Sequence, residues 1–161
     1  MIDYIKYMRN IIGTKPLLIC GAGIIILDDN NRVLMQLRRD NDCWGFPGGI
    51  MELGEKVEDT AAREVFEETG LTITDLKLFG VFSGKDLHYI YPNDDEVYIV
   101  DTMFISKNYN GRIIIEDSEC KDVKFFGLDD LPENISPPVK PSLKELIRKY
   151  KDKSLYRLFE D

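Results

Sequence analysis

Cysteine is scarce in this chain and poorly placed for chemistry of its own. Among 161 residues there are only Cys20, Cys43 and Cys120, an odd number at wide spacing, with one histidine, His88. A disulfide framework and a Cys/His zinc site both need paired or clustered ligands, so neither is expected, and a reducing compartment fits best. Basic residues are in deficit too: 21 Lys and Arg face 29 Asp and Glu, a net charge of −8. Affinity for a phosphate backbone or an anionic membrane comes mainly from clustered Lys and Arg, so the expectation is no general nucleic-acid binding and no membrane binding. Long uncharged apolar runs are missing as well. The opening MIDYIKYMRNIIG is interrupted by Asp3, Lys6 and Arg9, which leaves no core for a signal peptide or a membrane span. The expected location is cytoplasmic.

What is present describes an ordinary globular protein. Hydrophobic residues at 43% and charged ones at 31% suffice for a real core, and the length predicts one domain over residues 1–161. Ile2, Ile5, Met8 and either Ile11 or Ile12 recur at helical intervals before Gly13, so residues 1–13 read as a short amphipathic helix. Packing on the domain is its expected role; a contact in a homodimer is the alternative. Residues 17–27 form a β-branched apolar run that suits a buried strand. Asp28-Asp29-Asn30-Asn31 supplies turn chemistry, and residues 33–37 follow as a second strand, predicting a hairpin. Arg38 and Arg39 leave that strand as candidate binders of substrate phosphate or a base, against the alternative of a solvated strand end. Trp44 is expected in the core.

After Trp44 the chain runs through Pro47-Gly48-Gly49 into a predicted helix at 57–69 that stops at Gly70. Ala61, Ala62, Val65 and Phe66 give this helix an apolar side. Glu64, Glu67 and Glu68, at i, i+3 and i+4, fall in one sector beside it. Three carboxylates there repel unless something positive sits among them, and hard divalent ions take oxygen ligands. Further strands are predicted at 76–83, 97–105 and 122–126, with a last helix over 141–152 after Pro137, Pro138 and Pro141. The polar 84–96 segment reads as a loop suited to substrate selection.

The stretch 48–71 carries a longer pattern: Gly49, five residues, Glu55, seven residues, Arg63-Glu64-Val65, one residue, Glu67-Glu68, one residue, Gly70-Leu71. This resembles the Nudix box of the MutT-like pyrophosphohydrolases at every defining position. The resemblance implies an α/β fold, a Nudix-type α/β/α sandwich with a mixed central sheet. It also implies Mg²⁺-dependent hydrolysis, with Mn²⁺ as substitute, of a pyrophosphate bond in a nucleoside diphosphate linked to another moiety. By the same resemblance Glu64, Glu67, Glu68 and the carbonyl of Gly48 hold metal, and Arg63 orients the carboxylates, with Glu55 as a partner. The general base stays open among Glu67, Glu64 and Glu119, with Glu116 behind Glu119 as a further acid from outside the helix. Tyr89, eighteen residues past the box, resembles a tyrosine of dinucleoside polyphosphate hydrolases and is a substrate-binding candidate. The rival readings are a non-catalytic nucleotide sensor, an RNA 5′-end pyrophosphohydrolase, and an isomerase of isopentenyl diphosphate using Cys43.

Overall fold

The computed structural model describes residues 3–115 and 120–160. The first helix, α1 (Tyr4–Ile12), is capped by Asp3, whose side chain accepts from the Lys6 amide at 3.0 Å. Ile5, Met8 and Ile12 pack on Leu17, Ile19 and Val97. Arg9 locks the helix end by donating to the carbonyls of Lys15 and Glu96.

Strand β1 (Leu17–Ile26) is the axis of the main sheet. It is followed by β2 (Val33–Arg38), β3 (Trp44–Gly45), β4 (Gly48–Ile50), helix α2 (Val57–Thr69), β5 (Thr72–Ile73) and β6 (Lys77–Phe82). Then come β7 (His88–Ile90), β8 (Glu96–Ser106), β9 (Tyr109–Asn110), β10 (Cys120–Phe126) and helix α3 (Lys140–Lys151). The main sheet runs β4-β1-β8-β6, with β7 also on β8. It is mixed: β1 and β8 are parallel, and the other pairs are antiparallel. A second sheet has the order β10-β2-β3, and β5 pairs with β9. Leu143 and Leu146 of α3 join the core on one side of the main sheet, and Ala61 and Val65 of α2 join the core on the other. The α/β/α sandwich is therefore as expected. Among the described residues no helix is long and apolar enough to cross a membrane.

Two expectations need correction. The turn after β1 forms as read, with the Asp28 side chain accepting from the amides of Asn30 and Arg32, yet β1 and β2 do not make a hairpin. They share only the bridge Leu27–Val33, because both edges of β1 are taken by β4 and β8, so β2 pairs in the second sheet. The 84–96 segment is also more ordered than a loop: a 3₁₀ turn at Lys85–Leu87 leads into β7, which folds back on the start of β8.

Candidate active site

The loop from β3 to β4 needs its glycines for separate reasons. Gly48 lies opposite Gly23 across the β1–β4 pair with φ +154°, and a Cβ there would meet the Ala22 carbonyl oxygen at 2.6 Å. Gly49 faces the helix instead: a Cβ there would collide with the carboxylate of Glu64. The loop backbone thus lies close to β1 because Gly48 lacks a side chain, and close to the acidic helix because Gly49 does. Gly49→Ala is expected to push Glu64 out of place and lower turnover at least about tenfold, with circular dichroism and melting temperature close to the parent's. Steady-state kinetics beside a melting curve checks this.

Helix α2 buries a different face from the one its apolar residues suggest. Ala61 and Val65 are fully buried against β1, but Phe66 is 58% exposed and Glu68 is only 5% exposed. Glu68 is buried because it has partners: the Gly48 amide donates to its Oε2 at 2.8 Å, and Gln36 of β2 hydrogen-bonds to it. Burial still dominates, and with the charge of Glu64 it pushes the Glu68 carboxyl up to about 7.

Arg63 organises the remaining acids. Its Nε and Nη2 donate to the two oxygens of Glu55 at 2.7 and 2.9 Å, while Nη1 donates to Glu64 Oε1 at 2.8 Å and Glu67 Oε2 at 3.1 Å. Nη2 also reaches the Ile50 carbonyl on β4, tying the helix to the loop. The fork on Glu55 holds that carboxyl down at about 2. Glu67 is the exposed member, its side chain 56% accessible. With Glu64 and Glu67 drawn to Arg63, no three acidic side chains among the described residues converge on one point. The donor set is nonetheless all oxygen, and Glu68 is a buried acid whose charge is disfavoured until a cation compensates it, so the residues present fit a hard divalent ion.

Behind the loop lies an open cavity lined by Gly21, Gly23 and Asp101 on the sheet, Arg38 and Asn41 from the second sheet and its loop, and Tyr89 and Tyr91. Arg38 pairs in a fork with Asp40 at 2.9 and 3.0 Å. Tyr89 Oη accepts from Asn41 Nδ2 at 3.2 Å and stacks edge-on to Tyr91. Of the sequence candidates, Arg38, Tyr89 and Gly48 line this cavity, whereas Arg39 is exposed and does not. Cys43 does not line it either, and Trp44 is buried in the core. Glu116 and Glu119 lie outside the described residues. Two polar residues were passed over. Gln36 interrupts the apolar run of β2, and Asp101 interrupts that of β8; each breaks the binary pattern of a buried strand, which was the available signal.

A glycine loop laid against a glutamate helix, on the rim of a cavity in a mixed sheet, defines a class of α/β/α proteins built on one loop-helix motif. The chain belongs to the Nudix hydrolase family, matching the NUDIX domain over residues 18–150. An ADP-ribose pyrophosphatase of Methanocaldococcus jannaschii is 33% identical over 111 residues, which cover 67% of this chain and 62% of the relative. The NAD-capped RNA hydrolase NudC of Haemophilus influenzae is 35% identical over 100 residues, 62% of this chain and 33% of that protein. The chain thus spans less than two thirds of the length of these relatives. Among solved structures, the MutT NUDIX hydrolase from Burkholderia pseudomallei has a TM-score of 0.69 at 25% identity, covering 81% of this chain and 98% of that one. A UDP-X diphosphatase shares the fold with a TM-score of 0.70 at 22% identity, covering 94% of this chain and 71% of that one.

Proposed function

We propose that this protein hydrolyses the pyrophosphate bond of a nucleoside diphosphate linked to another moiety, with Mg²⁺ held by Glu64, Glu67, Glu68 and the Gly48 carbonyl. The observation that carries the reading is Glu68, a buried acid hydrogen-bonded to the glycine loop, with Glu64 packed against the same loop. A carboxylate kept in such a place is costly unless it serves a ligand. These carboxylates would hold an ion whose chemistry there would be to neutralise phosphate charge and lower the pKa of a water. The chain's own groups do the positioning. Gly48 and Gln36 hold Glu68 through its hydrogen bonds, and Arg63 fixes Glu64 while bracing the helix on Glu55. Glu67, the exposed member, has the freedom to reach a water and accept its proton, which makes it the base favoured among the described residues. Arg38 on the cavity wall is suited to the substrate's phosphates and Tyr89 to its ring.

The names of the relatives, an ADP-ribose pyrophosphatase and an NAD-capped RNA hydrolase, support a nucleotide with an internal pyrophosphate as substrate. The test is a panel of ADP-ribose, nucleotide sugars, dinucleoside polyphosphates and oxidised nucleoside triphosphates with Mg²⁺ and with Mn²⁺. At least one is expected to be cleaved at the pyrophosphate, with loss of turnover on chelation. Cleavage that persists with excess chelator would overturn the metal assignment.

A further inference from the structure

The residues of β8 that face the α3 side of the sheet are Val97, Ile99, Asp101, Met103 and Ile105. Four are apolar and packed in the core clusters; the central one is an acid. Asp101 sits in register between Gly21 on β1 and Phe82 on β6. It makes no hydrogen bond or ion pair with any described residue, and burial alone pushes its carboxyl up to about 6. An unpartnered acid in an apolar strip costs stability. Stability at that position would be served better by another Ile or Met.

What Asp101 does have is space. It lines the cavity, and the neighbouring position is Gly21. A Cβ at Gly21 would lie 3.3 Å from Asp101 Oδ1 and 3.3 Å from the Gly49 carbonyl oxygen, so the missing side chain keeps clear an opening bordered by two acceptors. Two polar neighbours are engaged elsewhere: Asn41 spends its amide donors on Tyr89 and Ser136 and its oxygen on the Cys43 amide, and Arg38 is forked on Asp40. Tyr89, Tyr91, Phe46 and Met103 supply flat and apolar walls beside the acid. Such walls with a few polar groups, Asp101 among them, suit an aromatic ring whose edge donates hydrogen bonds.

We propose that Asp101 is a specificity-determining residue that accepts hydrogen bonds from the donor edge of a guanine-type base. A carboxylate is an acceptor with two oxygens, and among the common bases only guanine presents two adjacent N–H donors on one edge. The assignment rests on the reading that this cavity receives the nucleoside half of the substrate. A site built around such a pair rejects an analogue lacking one donor, because its acceptor is then left buried and unpaired.

The test is calorimetric titration of GMP, IMP, AMP and UMP with Mg²⁺ into the wild type and into Asp101→Asn. GMP is expected to bind at least about tenfold tighter than IMP, which lacks only the 2-amino group, and tighter than AMP and UMP. Asp101→Asn should cost GMP about tenfold or more while changing AMP little, and its melting temperature at pH 7 should equal or exceed the parent's, since a disfavoured charge is gone. Equal affinity for GMP, IMP and AMP in the wild type overturns the assignment without any variant. An unchanged GMP preference in Asp101→Asn, tighter binding of AMP than GMP, or no binding of any of the four does so too. If GMP is preferred but no nucleotide is ever hydrolysed, the hydrolase reading fails and the role of Asp101 stands. Hydrolysis with no preference among bases has the opposite meaning.

Discussion

Glu68→Gln is expected to lower the proposed Mg²⁺-dependent pyrophosphate hydrolysis by at least about a hundredfold and to leave the fold intact. The amide is the same shape as the carboxylate and its oxygen still accepts from the Gly48 amide, so the loop keeps its anchor. The lost negative charge is one that burial already disfavours, with the carboxyl pushed up to about 7. The free variant should therefore melt no lower than the parent at pH 8, while its turnover collapses. Glu64→Gln should behave similarly in turnover, because Glu64 packs on Gly49 and shares the loop. Unchanged turnover in both variants contradicts the assignment of the helix. Kinetics over a range of Mg²⁺ concentrations separates loss of ion binding, which excess Mg²⁺ partly restores, from loss of fold.

The second large effect belongs to Arg63. Arg63→Met keeps the stem and removes the guanidinium that pairs Glu55, Glu64 and Glu67 and reaches the Ile50 carbonyl. Partly buried acids are then left facing one another, a loss of roughly 2–4 kcal/mol after allowance for their solvent exposure. Turnover should fall as well, since nothing then fixes Glu64 against the loop. The pH dependence has a definite sign. Glu55 is held at about 2 in the folded chain against an ordinary value of 4.5. A depressed carboxyl contributes stability that is fully present above 4.5 and is lost as the pH falls through about 2. The wild type therefore weakens over that window by more than Arg63→Met does, and the gap between them closes in acid. Urea unfolding at pH 7, 4 and 2.5 measures it; parallel curves contradict the pairing.

Local chemistry made much of this protein legible. Helix α2 is bounded as the sequence predicts because Gly70 takes the left-handed conformation, φ 73°, that ends a helix. The glycine loop and the arginine brace follow from residue type and spacing. The hairpin failed for the opposite reason: the Asp28 turn is local, but strand pairing is decided by β8, some seventy residues away, which takes the edge of β1. Phe66 and Glu68 exchange their expected exposures because hydropathy ranks side chains in isolation, whereas Glu68 finds the Gly48 amide and Gln36 only once β2 and β4 are assembled around it. Asp101 was visible as a broken pattern, but the vacancy beside it comes from Gly21, a neighbour only through the parallel register of β1 and β8.

On the proposed reading the loop and helix at 48–69 form a hydrolytic centre and not a sensor. The most direct measurement is phosphorus NMR of the cleaved panel substrate after turnover in ¹⁸O-water with Mg²⁺. The expected result is two products that each end in a terminal phosphate, a single ¹⁸O entering at one phosphorus of the former pyrophosphate, and at least about a hundredfold less product from Glu68→Gln. A nucleotide that raises the melting temperature but yields no labelled product, with or without Mg²⁺, would contradict it.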